Sequence, residues 1–242
     1  KENTDLLINN LKIRAVKKDK VSKQGRIIFS PGEEIISVIN SQVNNSCLWR
    51  VQYFGHNSID EDAQAQVIGN YVGSPFYLEM RTNQQLGYIV WGGAASFDNS
   101  SYFYFIIQSG NHSADYLGDQ AEAFIATLPD SLYDLPDEEF QIIKNGVIEK
   151  IKEKPTSIAE QAEKYYSLAF DYNANFNRNE ELIQAVNDLT KEQALKVLGQ
   201  VLNSGTMEKT SVLLYAKEHV LDDNIQSSFD DINQWKNTRK YE

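Results

Sequence analysis

Met80-Arg81-Thr82-Asn83-Gln84-Gln85-Leu86-Gly87-Tyr88-Ile89-Val90 decides how this chain is read. On its N-terminal side Ala63, Val67, Ile68 and Tyr71 recur at helical spacing; on its C-terminal side Gln85 to Gly92 reads as a strand. Neither pattern requires an arginine, a glycine and a tyrosine at these offsets. A glycine where a strand begins frees the backbone of side-chain bulk and admits another chain. The Tyr88 phenol can donate a hydrogen bond to an oxygen that is gaining negative charge. Arg81 adds a cation with several donors, able to hold a carbonyl or a carboxylate. A structural reading stands beside this one, with Arg81 capping its helix's last carbonyls and Tyr88 as a half-buried strand aromatic.

Upstream, Pro31-Gly32 marks a turn. Glu34 to Asn40 and Cys47 to Phe54, rich in β-branched and aromatic residues and separated by Asn44-Asn45, predict a hairpin. Ser58 with Glu61 has the capping-box pattern and starts a helix. Gly73-Ser74-Pro75 is expected to end that helix and start a short second one. Downstream, Tyr102 to Gln108 is a further strand. Leu117, Ala121, Phe124, Ile125 and Leu128 then form one apolar helix face, and Pro136 opens another helix with a stripe of Phe140, Ile143, Val147 and Ile151. Capping boxes at Ser157/Glu160 and Thr190/Gln193 begin helices expected to reach Tyr172 and Leu202, with a polar break over residues 173–179. Lys209 to Ala216 reads as a last strand returning to the sheet. Strands, helix, strands, several helices and a strand imply an α+β fold, an antiparallel sheet with helices packed on one face.

The 242 residues suffice for a substantial core. A net charge of −11 and a pI near 4.8 disfavour nucleic-acid partners, which need a basic stripe. No apolar run is long enough to span a membrane. The three histidines, His56, His112 and His219, are widely spaced, and Cys47 is the one cysteine, so no metal-ligand spacing is present and no cofactor is expected in this chain. Asp60-Glu61-Asp62, in a helix's first turn, are expected to complement the helix dipole. His56 is expected in a turn, His112 and His219 in solvent, and Cys47 as a small core residue.

The Arg81-Thr82-x-x-Gln85-Leu86-Gly87-Tyr88 pattern resembles a motif in the C-terminal half of the insulinase/pitrilysin-type zinc peptidases, with the best match over residues 74–109. The family's inverted zinc motif, His-x-x-Glu-His, is absent from this chain. The resemblance implies a sandwich domain of the kind those peptidases contain four times over, with zinc held by the N-terminal half of the parent protein. It further implies that Arg81 and Tyr88 lie beside the scissile peptide, opposite the zinc, and that Tyr77 faces the substrate chamber. The partners so implied are the zinc-bearing half of the same protein and a peptide substrate. The chain begins at Lys1 rather than Met and is expected to be a piece of a longer protein. Residues 1–25 are expected to be a helix and linker from the preceding part of the parent, 26–220 the peptidase-type domain, and 221–242 a polar tail. Surface that faced neighbouring domains is expected to promote homo-oligomers. A non-catalytic relative acting as a binding or assembly module is the alternative.

Overall fold

A computed structural model describes residues 10, 25, 27–56, 58–97, 100–201, 208–219, 221 and 224–241. The helix and linker expected over 1–25 lie almost wholly outside the described residues. The chain divides into a unit of Phe29–Thr238 and a second of Lys1–Ile28 with Arg239–Glu242. In the second, Ile27 and Tyr241 form an isolated antiparallel bridge.

In the larger unit, five strands form one sheet: β1 (Glu34–Asn40), β2 (Ser46–His56), β3 (Ile89–Phe97), β4 (Ser100–Ser109) and β5 (Lys209–Tyr215). Its order is β1-β5-β2-β4-β3. The α+β class is as expected, but two details of the sheet are not. The strands β1 and β2 do not form a hairpin, because β5 lies between them; and β1 pairs parallel to β5, so the sheet is mixed. The register aligns Leu48 with Ile107 on one side and Leu213 on the other, all three buried, in a row that faces the helices. Strand alternation sends their neighbours to the opposite face, where Trp49, Ile106 and Trp91 are aligned and both tryptophans are more than half exposed.

The helices are α1 (Ile59–Tyr77), α2 (Ala114–Asp134), α3 (Asp137–Lys152), α4 (Ile158–Tyr166), α5 (Arg178–Asp188), α6 (Lys191–Val201) and α7 (Ile232–Asn237). Helix α1 packs on β3 and β4 and α2 on β2; α3 and α5 pack in turn on α1, and α6 on α2. The apolar stripe of α2 is the expected one, with Leu117, Ala121, Ile125 and Leu128 buried. Between helix and sheet, Phe76 touches Phe105 and Phe124 edge-on at 5.0 and 5.4 Å.

Helix α1 does not stop at Gly73-Ser74-Pro75 as expected; it runs through Pro75 to Tyr77. Phe76 and Met80, both fully buried, hold the following turn on the core, and Leu78 N–H is shared between the carbonyls of Ser74 and Pro75. Small residues also let α1 lie close to the sheet. A side chain at Gly69 would come within 2.5 Å of Ala94, and one at Gly73 within 2.9 Å of the Gly92 carbonyl.

Candidate substrate-contact site

The site grows out of the end of α1. Ser58 and Glu61 cap the helix reciprocally, Glu61 N–H donating to Ser58 Oγ at 3.2 Å and Ser58 N–H to Glu61 Oε2 at 3.4 Å. After Tyr77 the helix widens into a π turn, Leu78–Asn83, closed by Gln84 N–H donating to the Glu79 carbonyl at 2.9 Å. Gln85 then takes φ 54°, in the left-handed region uncommon for residues with a side chain. Leu86 N–H returns to the Met80 carbonyl at 2.9 Å, and both side chains are buried.

Gly87 is required by packing: a Cβ there would lie 2.0 Å from the Gln108 carbonyl oxygen of β4. The chain thus enters β3 pressed against its neighbour, and Tyr88 stands out with 84% of its surface exposed. Arg81, from the π turn, places its guanidinium carbon 5.3 Å from the centre of the Tyr88 ring, within cation–π range. Two of the three residues singled out from sequence are thereby brought together. Tyr77, 49% exposed, lies one helical turn before Arg81 and lines a shallow, largely apolar hollow of ≈ 580 Å³ with Pro75 and Leu78.

Glu79 gave no signal in the sequence. Its carboxylate accepts from Asn83 Nδ2 at 2.7 Å and from Gln84 Nε2 at 2.9 Å, and the Gln84 bond, with that from Asn83, holds its pKa below the ordinary value.

Other residues have different roles from those expected. Asp62 is buried and pairs with Arg178 Nη2 at 2.7 Å, so it neutralises a buried cation rather than serving the helix dipole from solvent. His219 Nδ1 shares a hydrogen bond with Ser46 Oγ at 2.7 Å, and His112 stacks on Tyr116 at 4.9 Å, so neither is simply solvated. His56 is the last residue of β2 rather than part of a turn. Cys47 is partly buried, and burial pushes its thiol pKa up. Among the described residues, no three His, Cys, Asp or Glu side chains gather as a metal site, so this part of the chain offers no fit for zinc.

Residues 67–166 match the family model described as PQQ synthase PqqF-like, C-terminal lobe domain 4. The chain is 28% identical to human insulin-degrading enzyme over 181 residues, 74% of this chain and 18% of that protein. It is also 28% identical over 140 residues to protease 3 of Escherichia coli O6:H1, covering 57% of this chain and 14% of the other. The chain is thus similar to the insulinase/pitrilysin-type peptidases, and the family model that it matches describes a C-terminal lobe domain. The crystal structure of pitrilysin shares its fold, with a TM-score of 0.84 at 17% identity over 98% of this chain and 26% of that one. Against its insulinase-family relatives the chain spans less than a fifth of their length.

Proposed function

We propose that this domain supplies substrate-binding and transition-state contacts to a zinc-dependent endopeptidase whose metal is bound by the N-terminal half of the same protein. The observation that carries this reading is the Arg81–Tyr88 stack on an exposed strand entrance. A half-buried structural tyrosine would not be 84% exposed, and an arginine committed to its own helix end would not lie over the ring.

The division of labour follows from the side chains. The Tyr88 hydroxyl donates to the carbonyl oxygen of the scissile peptide as negative charge develops there. Arg81 packs along the ring, limits its swing and holds a neighbouring carbonyl of the peptide through its remaining donors. Tyr77 and the hollow beside it receive an apolar side chain of the peptide. Zinc, held elsewhere in the parent, supplies Lewis-acid chemistry when bound. On this reading the isolated domain cleaves nothing.

The test is kinetic and uses the parent peptidase. Tyr88→Phe keeps the ring and removes one donor; we expect turnover to fall by about 10² to 10³, the usual cost of losing an oxyanion donor. Arg81→Ala is expected to lower kcat/KM more than loss of an equally exposed arginine elsewhere. Wild-type kinetics in both variants, with normal zinc content and melting temperature, would sink the reading and favour a binding or assembly module.

A further inference from the structure

We propose that Glu79 is the positioning residue of this site: its carboxylate ties down Asn83 and Gln84 and thereby sets the Arg81 guanidinium over the Tyr88 ring. That the positioned pair touches substrate rests on the function proposed above; the positioning does not.

Six residues separate Arg81 from Tyr88, and they must reverse from a π turn into a strand. The reversal is not a favoured conformation, since Gln85 lies at φ 54°. Something must hold it. The Met80–Leu86 backbone bond and the buried Leu86 side chain fasten the far side, and Gly87 against Gln108 fixes the entrance to β3. The near side, Asn83 and Gln84, has no buried side chain to anchor it. There Glu79 supplies three acceptors: Oε2 to Asn83 Nδ2 at 2.7 Å, Oε1 to Gln84 Nε2 at 2.9 Å, and its carbonyl to Gln84 N–H at 2.9 Å. Bonds to an ionised acceptor are shorter and stronger than neutral ones. Arg81 lies between Glu79 and Asn83 in the chain, so the bond between those two residues spans it. The Glu79 carboxylate is engaged by Asn83 and Gln84, and on this proposal it has no part in the chemistry.

Nuclear magnetic resonance of the 242-residue chain tests the positioning directly. The Tyr88 ring should shift the Arg81 side-chain protons upfield, a shift identified by its loss in Tyr88→Leu. We expect Glu79→Ala to abolish most of that shift and Glu79→Gln, which retains one acceptor, to restore part of it. In the wild type the shift should fade as Glu79 is protonated. An unchanged shift in Glu79→Ala, or one independent of acidification through the Glu79 titration, overturns the proposal. In the parent peptidase, Glu79→Ala should lower kcat/KM about tenfold with little change in KM, and Arg81→Ala/Glu79→Ala should be no worse than Arg81→Ala alone. Fully additive losses would mean that Glu79 acts by another route and would also overturn it. Should Arg81→Ala leave kinetics untouched while Glu79→Ala removes the shift, the substrate-contact reading fails and the positioning stands.

Discussion

Asp62 and Arg178 meet as a buried ion pair, Oδ2 to Nη2 at 2.7 Å, although 116 residues separate them in the chain. The pair joins the first turn of α1 to the first residue of α5, and Arg178 also lies 3.7 Å from the centre of the Tyr172 ring. Both side chains are out of solvent, so the two charges compensate each other there, while Gln66 Nε2 and Ser96 Oγ donate to the other Asp62 oxygen at 3.1 and 3.4 Å. We expect Asp62→Asn or Arg178→Met alone to destabilise the domain by about 3 to 5 kcal/mol, the usual cost of orphaning a buried charge. The double replacement by apolar residues should recover much of that loss. Urea unfolding of the three variants checks it, and a loss under 1 kcal/mol in either single variant would show that water reaches the site.

Gly87→Ala tests the strand entrance. The new methyl cannot fit 2.0 Å from the Gln108 carbonyl, so the first residues of β3 must part from β4. A loss of about 3 kcal/mol, the upper end for overpacking, is expected, with the unfolding slope unchanged. The Arg81–Tyr88 contact should weaken with it.

Cys47 is the sole thiol, and burial raises its pKa, which leaves less of the reactive thiolate at a given pH. Alkylation by iodoacetamide at pH 8 should therefore run well below the rate of a free thiol and rise to that rate in denaturant. Equal rates in the folded and unfolded chain would contradict the burial.

The face of the sheet opposite the helices carries Trp49 and Trp91 on either side of Ile106, with Val212 beyond Trp49 and no charged residue in that row. Such a patch promotes association. Sedimentation should reveal concentration-dependent species, reduced in Trp49→Ser/Trp91→Ser; a wild-type chain that stays monomeric at high concentration would count against it.

Glu79 carries the pH dependence of the site. Its folded pKa is depressed, so its contribution is present above the unfolded glutamate value of about 4.3 and lost as pH falls through the folded value. Local order around Asn83 and Gln84, read by amide exchange, should be constant through neutral pH and diminish only below that value.

Local signals in the sequence were reliable where the cause was local. The capping pairs Ser58/Glu61 and Ser157/Glu160 both bond as spaced, and the α2 stripe is the buried one. What depended on distant partners was illegible. Nothing near Pro75 shows that Phe76 and Met80 would be held so deep that α1 continues past it. Asp62 looks like any first-turn carboxylate until Arg178 arrives from α5. Asn44-Asn45 links β1 and β2 without making them neighbours, because strand order depends on which edges remain when β5 is added. At the site, Arg81 and Tyr88 could be singled out by residue type, whereas the π turn and Glu79's hold on it needed the backbone path.

The place of β5 also dictates how the domain can be made. Ser211 of β5 bonds Glu34 of β1 across 177 residues, and β2 finds its second neighbour only when the same strand arrives. A nascent chain must therefore wait with both β1 and one side of β2 open until almost the whole domain has left the ribosome, and such long-range closure is slow. Truncation anywhere before Lys209 would not trim an edge but leave a gap in the middle of the sheet, two unsatisfied strands facing each other with nothing of the right length to join them.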